Sequence, residues 1–311
     1  MPELSGVLTV NKPCGVTSHD VVNRIRRLYH TRRVGHTGTL DPMATGVLVI
    51  LIGRAAKASE YLSADRKTYR ARLRLGLTTD SEDITGTVLS QTESIPDFSA
   101  LEALLPHFRG KILQTPPMYS ALKVNGQKLV DLARKGITVE RRAREIEILS
   151  LEAEPTERED EVSLTVTCSG GTYIRTLCAD IGSALGCGGC MAALERTETG
   201  GFPIEGAHTL EELEALSEEA RADLLLDTES LFADLPVLTL PPFFEHLCRS
   251  GCEIYLKKLK PSPSFSCGDR VRLSGEECGF FALGEIGEYE SGPAVKAIKT
   301  FFPQEQNVQA E

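Results

Sequence analysis

The sequence predicts an α/β (α+β) protein that ends in a smaller β-rich unit. Two patterns predict it. Strand-length apolar or alternating runs are interleaved with stretches of helical spacing as far as Leu216, and beyond Leu235 short apolar runs are separated by glycine turns. A length of 311 residues suits two domains, since one domain takes roughly 150 residues.

Gly6 to Lys12 reads as a strand entering a turn at Pro13-Cys14-Gly15. Thr17 or Ser18 can cap the helix that follows, in which Val21, Val22, Ile25, Leu28 and Tyr29 share one face while Arg24, Arg26 and Arg27 point elsewhere. Val47 to Ile52 is an unbroken apolar run with the pattern of a buried strand, and Arg54 to Leu62 reads as a short helix. Tyr69 to Leu75 alternates with period two, so one face is apolar and the other carries Arg70, Arg72 and Arg74. Such a ladder suits an RNA backbone or plain solvation equally. Asp97 can cap a helix bearing Phe98, Leu101, Leu104, Leu105 and Phe108.

From Lys111 to Arg144 the patterning fades. Pro116-Pro117, the turn signal Val124-Asn125-Gly126-Gln127 and the basic run Arg141-Arg142-x-Arg144 read as an excursion from the core. Strands resume at Ile146 to Leu151 and Val162 to Cys168, and a helix is expected from Tyr173 to Leu185. Between Glu205 and Asp234 stand ten acidic residues and one basic one, partly a helix (Leu210 to Leu216) and partly linker, which places a domain boundary near Leu235. Beyond it Gly268 to Leu273, Phe280 to Ile286 and Ala294 to Lys299 form short β units, and Pro303 to Glu311 reads as a tail without fixed structure.

The formal charge of −10 argues at first against a nucleic-acid partner, but its distribution reverses the argument. Residues 1–145 hold 22 basic and 14 acidic side chains, a net of +8, whereas residues 146–311 carry a net of −18. A basic half can bind phosphates because a partner feels charge within roughly 10 Å, about a Debye length. No signal peptide and no run of about 18 apolar residues stands in the chain, so a cytoplasmic protein without membrane contact is expected. Nine cysteines at irregular spacing fit a reducing compartment. Cys187-Gly188-Gly189-Cys190 lacks the second CxxC or His pair of a zinc site, so no metal is expected.

The chemistry concentrates in Gly35-His36-Thr37-Gly38-Thr39-Leu40-Asp41-Pro42-Met43-Ala44-Thr45-Gly46, one carboxylate among turn makers on a loop that leads into the apolar strand. A loop mounted on a buried strand is the kind of support a nucleophilic carboxylate needs. This segment resembles the catalytic loop of the TruB family of tRNA pseudouridine synthases, whose Gly-His-x-Gly-x-Leu-Asp-Pro-x-Ala-x-Gly pattern it satisfies at every fixed position. Further motifs are similar to the family's: Lys12-Pro13, Lys67-Thr68-Tyr69-Arg70, Gln114 to Lys123, Gly171-Thr172-Tyr173-Ile174-Arg175 and Leu194-Glu195-Arg196-Thr197.

The resemblance covers residues 6–235 well and the remainder loosely. It implies a catalytic domain over residues 1–234, built on a mixed, largely antiparallel sheet with a thumb insertion at about 111–145, then a PUA-like RNA-binding domain at 235–302 and the tail 303–311. It also implies isomerisation of uridine 55 in the TΨC loop of tRNA. The glycosidic C1′–N1 bond breaks, the base turns, and C5 is joined to the sugar. That sequence involves no redox change and no energy carrier, so no cofactor is expected.

In that scheme Asp41 is the nucleophile, Tyr69 stacks on the target base and can share in proton transfer, and Arg175 pairs with Asp41. His36 helps to splay the nucleotide from its stack, Leu194 lies under the base, Lys12 buttresses the loop, and Tyr173 belongs to the substrate-binding set. The implied partner is the TΨC stem-loop of tRNA, bound by a monomer without a guide RNA. A noncatalytic RNA-binding protein on the same scaffold would need none of Asp41, Tyr69 and Arg175.

Overall fold

In the computed structural model, which describes residues 4–62, 66–124 and 126–301, the chain opens with β1 (Gly6–Lys12), α1 (Ser18–Leu28), β2 (Val34–His36) and β3 (Thr45–Ile52). Thr17 caps α1 by a reciprocal exchange with Asp20, and Val21, Val22 and Ile25 turn into the core as the spacing requires. β3 is buried along nearly all its length, as its unbroken apolar run dictates. The short helix expected from Arg54 to Leu62 is present as successive 3-10 turns over Gly53–Tyr61. The alternating β4 (Lys67–Leu75) buries Tyr69, Ala71, Leu73 and Leu75.

A small hairpin, β5 (Leu77–Thr79) with β6 (Val88–Gln91), precedes α2 (Phe98–Leu104). The helical pattern expected through Phe108 tightens to a 3-10 turn where Pro106 enters. Next come β7 (Gly110–Gln114), the hairpin β8 (Lys123–Val124) with β9 (Gln127–Lys128), α3 (Leu129–Ala133), β10 (Arg144–Pro155), β11 (Glu161–Cys168), α4 (Ile174–Ala184) and β12 (Gly189–Thr199). After β13 (Phe202–Pro203) lie α5 (Leu210–Ala215) and α6 (Glu218–Asp223).

Among the described residues the larger sheet has nine strands. Seven run in the order β1-β3-β12-β4-β11-β10-β7, with β2 on β3 and β13 on β12. Its pairs are antiparallel except β12 with β3, so the expectation of a mixed, largely antiparallel sheet holds. One expectation needs correction. The excursion does not begin at Lys111, because Gly110–Gln114 pairs with Arg144–Ile148 as the sheet's edge, and the chain leaves the sheet only over residues 115–143. A five-residue edge strand with Lys111 and Leu113 exposed has no alternation strong enough to be read. Asn125, within the turn signal above, and the tail from Pro303 to Glu311 lie outside the described residues.

The last part contains β14 (Val237–Leu240), α7 (Pro242–Arg249), β15 (Ile254–Tyr255), β16 (Arg270–Gly275), β17 (Gly279–Tyr289) and β18 (Gly292–Thr300), a second sheet in the order β14-β16-β17-β18-β15. The β-rich terminal unit is thus present. It shares a core with the first sheet, in which Phe232 lies 6.0 Å from Phe280 and 5.8 Å from Phe301, ring centre to ring centre. Arg272 adds a bond to the Leu235 carbonyl at 2.8 Å and an ion pair with Glu229 at 3.1 Å. Lys299 pairs with Glu60 beside them. Among the described residues no helix is long and apolar enough to cross a membrane.

Candidate active site

Asp41 lies on the loop between β2 and β3, and that loop is fixed from below by buried polar side chains. Ser18 Oγ donates to the Leu40 carbonyl at 3.0 Å and accepts from the Leu40 amide at 2.8 Å. Lys12, with no solvent exposure, donates from Nζ to the carbonyls of Pro13 (2.9 Å), Val16 (2.7 Å) and Pro42 (3.3 Å). Burial pulls the Lys12 ammonium below its ordinary pKa, with the Asp41 carboxylate acting against it. Arg196, 1% exposed, binds the Gly38 carbonyl at 3.0 Å and the Val47 carbonyl at 2.8 Å. Gly46 turns the loop into β3 at φ +103°, where a Cβ would stand 2.2 Å from the Arg196 carbonyl oxygen. No other residue fits there.

Arg175 meets Asp41 from the first turn of α4 in a two-point contact, Nε to Oδ2 at 2.9 Å and Nη2 to Oδ1 at 3.3 Å. A planar fork of this kind fixes direction as well as charge. The guanidinium is itself held: Nη2 donates to the Tyr119 carbonyl at 2.8 Å, Nη1 to the Ser81 carbonyl at 3.1 Å, and Asp83 stands 3.7 Å from Nη1. Asp83 is ordered by Ser81 Oγ at 2.9 Å and by the amide and hydroxyl of Thr85 at 2.9 and 2.6 Å. Burial pushes Asp41 above its ordinary pKa. Arg175 is the largest influence in the opposite direction, and the Asp83 charge adds to the rise.

Tyr69 and Leu194 reach the same place from two adjacent strands. In the β4–β12 register Tyr69 lies opposite Arg196, and Ala71 opposite Leu194. Side chains two apart on a strand share a face, so Leu194, Arg196 and Tyr69 line one surface beside the Asp41 loop. Tyr69 is 7% exposed and Leu194 8%. Burial raises the Tyr69 phenol above its ordinary pKa, and the Arg196 guanidinium works against that rise. His36, on β2, has its Nδ1 buried without a hydrogen-bond partner, and burial, then Arg196 and His19, lower its pKa toward the neutral ring. Tyr173 occupies the N-cap of α4, where Gln114 clasps its backbone by accepting from its amide at 2.8 Å and donating to its carbonyl at 3.0 Å.

The structure therefore brings Asp41, Arg175 and Lys12 into one network of contacts and sets Tyr69 and Leu194 on the adjoining sheet face. Four residues of this frame carried no role in the sequence reading: Ser81, Asp83, Gln114 as a backbone clasp, and Arg196 as a loop anchor. The acidic run Asp80-Ser81-Glu82-Asp83 before a Thr-Gly turn was the one local signal for the first two. The arginine ladder is a further refinement. Arg74 is engaged by Asp160 at 2.6 Å and Glu161 at 3.2 Å, and Arg70 by Glu195 at 3.3 Å, so part of that face is already neutralised. Among the described residues no group of acidic, histidine or cysteine side chains is arranged to hold a metal.

With this geometry in place, comparison with known proteins is specific. Residues 26–174 match the profile of the TruB family pseudouridylate synthase N-terminal domain, and residues 175–233 match the tRNA pseudouridylate synthase B C-terminal domain. The chain is 47% identical over 304 residues to tRNA pseudouridine synthase B of Francisella tularensis subsp. novicida, covering 97% of this chain and 96% of that protein. It is 46% identical over the same length to the protein of that name from Francisella philomiragia. Among solved structures, a chain of a Cbf5-Nop10-Gar1 complex superposes with a TM-score of 0.74 at 26% identity, over 96% of this chain and 85% of that one. The fold and site define a pseudouridylate synthase, an isomerase. This chain belongs to the TruB family.

The Asp41–Arg175 contact carries a measurable pH signature. The Asp41 carboxyl, followed by 13C NMR and assigned through Asp41→Asn, should titrate above the ordinary aspartate value of 3.8. In Arg175→Gln its midpoint should move higher still, because the largest influence favouring the carboxylate is gone. A midpoint unmoved by Arg175→Gln would mean that the fork does not govern Asp41 ionisation.

Proposed function

We propose that this chain converts uridine 55 in the TΨC loop of tRNA to pseudouridine, with Asp41 as the nucleophile. The observation that carries the reading is a carboxylate at the mouth of a buried cationic frame, its side chain 36% exposed while its partner Arg175 is 5% exposed. One face of the acid is fixed and the other is left for substrate, the arrangement nucleophilic catalysis requires. The tRNA pseudouridine synthase B proteins, similar over nearly the whole chain, support tRNA as the substrate. The site residues need no cofactor for this isomerisation, because every bond broken is matched by one formed at the same oxidation level.

The remaining side chains take complementary roles. The target base leaves its stack at a cost of a few kcal/mol, and the neutral His36 ring on β2 is suited to fill the space it vacates. Tyr69 supplies a face for the uracil and a hydroxyl for proton transfer at C5. Leu194 floors the pocket, Lys12 keeps the loop in register, and Tyr173 completes the substrate wall at the start of α4. With Asp41 removed, Arg175 would still have Ser81, Tyr119 and Asp83 as partners. The scaffold therefore tolerates loss of the carboxylate.

Residues 1–234 serve catalysis in this reading, with the thumb leaving the sheet between β7 and β10, and residues 235–302 form a PUA-like RNA-binding domain. A cytoplasmic monomer acting on the folded stem-loop fits it, since loop bases that can be splayed out are what proteins read in RNA. The thumb hairpin adds a physical argument. Lys123 and Lys128 face each other directly across β8 and β9, both exposed. Like charges in that register are destabilising by themselves and are relieved by an intervening anion such as a phosphate.

Asp41→Asn, nearly isosteric, should abolish pseudouridine formation in an unmodified tRNA transcript, mapped by base-resolved pseudouridine detection, while tRNA affinity stays within severalfold of wild type. Steady turnover by a pure preparation of that variant would exclude Asp41 as nucleophile. For the thumb, Lys123→Glu with Lys128→Glu and Arg142→Glu should weaken tRNA binding. The slope of log K against log salt should fall by roughly 0.7 to 0.9 for each phosphate that the variant no longer neutralises. Single-turnover rates at saturating enzyme should survive. An unchanged salt slope in the folded triple variant would remove the thumb from the RNA footprint.

A further inference from the structure

We infer that Arg196 is a positioning residue that ties the Tyr69 side chain to the Asp41 loop, so that the phenol and the carboxylate hold one mutual geometry throughout the reaction. The inference rests on the reading that Tyr69 takes part in that reaction.

Three features converge on Arg196. Its strand, β12, pairs with both neighbours concerned: Arg196 lies opposite Gly46 of β3 on one side and opposite Tyr69 of β4 on the other. Its guanidinium, 1% exposed, spends Nε on the Val47 carbonyl and Nη2 on the Gly38 carbonyl, the two ends of the Asp41 loop. The strand pairing also sets the Arg196 side chain directly across from that of Tyr69 on one buried face.

The chemistry follows from charge. Carbonyls are neutral acceptors, so the two backbone bonds leave the positive charge of Arg196 undiminished. A buried cation is worth most to a neighbour that becomes an anion in a low-dielectric setting. If the phenol accepts or surrenders a proton during removal of the C5 hydrogen, the phenolate form is the one Arg196 favours. Burial opposes that form, and Arg196 leads the influences that restore it.

Arg196→Lys and Arg196→Gln test the inference, each alone and in a Tyr69→Phe background, with only variants of native circular dichroism and cooperative melting compared. Single-turnover pseudouridine formation should fall about 100-fold in Arg196→Lys, the loss typical of a misplaced reacting group. tRNA affinity should hold within severalfold, and in the Tyr69→Phe background the same replacement should cost clearly less than it does alone, the remainder being the loss of the loop anchor. In protein carrying 13Cζ-tyrosine, with the signal assigned by Tyr69→Phe, the Tyr69 phenol should titrate at higher pH in Arg196→Gln. In the unsubstituted protein the 15Nε signal of Arg196 should shift with the same midpoint as the Tyr69 signal, a test independent of whether any variant folds. Losses that multiply in the double variant, or an Arg196 signal indifferent to Tyr69 ionisation, would overturn the inference. If the wild-type protein forms no pseudouridine, the catalytic reading fails instead, and the two NMR titrations still decide whether Arg196 and Tyr69 are coupled.

Discussion

The two-point contact between Arg175 and Asp41 is the constraint around which the site is organised. A guanidinium as deeply buried as Arg175 cannot stand unpaired, since removing the partners of a buried charge costs roughly 3–5 kcal/mol. The chain meets that demand from several distant segments: the Asp41 loop, the Ser81 and Tyr119 carbonyls, and Asp83. Satisfying one arginine thus draws the loop before β3, the turn after β5 and the root of the thumb to a common point. The direction of the Asp41 carboxylate is then set by the packing of α4 on the sheet rather than by the loop's own preferences.

Two other buried cations complete the frame by a different rule. Lys12 and Arg196 bind main-chain carbonyls of the loop, which freezes the backbone without neutralising Asp41. Neutral acceptors let three cations share a small volume with only two carboxylates, the half-buried Asp41 and the buried Asp83. The outer surface follows the opposite logic. Arg70 and Arg74 on β4 are matched by Glu195, Asp160 and Glu161, while the thumb leaves Lys123 and Lys128 opposed to each other. Positive charge is quenched on that part of the sheet and left free to meet an anion on the projecting hairpin.

Much of this was legible in the sequence, for identifiable reasons. The Asp41 loop announced itself because glycines at Gly35, Gly38 and Gly46 punctuate an approach to an unbroken apolar strand. β4 was legible because period-two alternation survives where one face is buried. The start of α1 was legible as a cap at Thr17 or Ser18, and the exchange with Asp20 settles it on Thr17. What stayed hidden depends on contacts far apart in the chain: Gln114 clasping Tyr173, Asp83 behind Arg175, Arg196 reaching Gly38. The last is instructive, since a single arginine on a strand of mixed burial carries no sign that it is buried until its strand is known to lie between two others. The edge strand β7 escaped because five residues with exposed Lys111 and Leu113 present no periodicity to read.

In the proposed reaction Asp41, held by Arg175, faces the sugar and base of an extruded uridine with Tyr69 against the ring. A structure of the protein with a TΨC stem-loop carrying 5-fluorouridine at position 55 would decide this arrangement. The expected result is a target nucleotide turned out of the loop, with its base against Tyr69 above Leu194 and an Asp41 oxygen within bonding reach of the base or C1′. A stem-loop bound with the fluorinated base still stacked, or lodged away from Asp41, would contradict it.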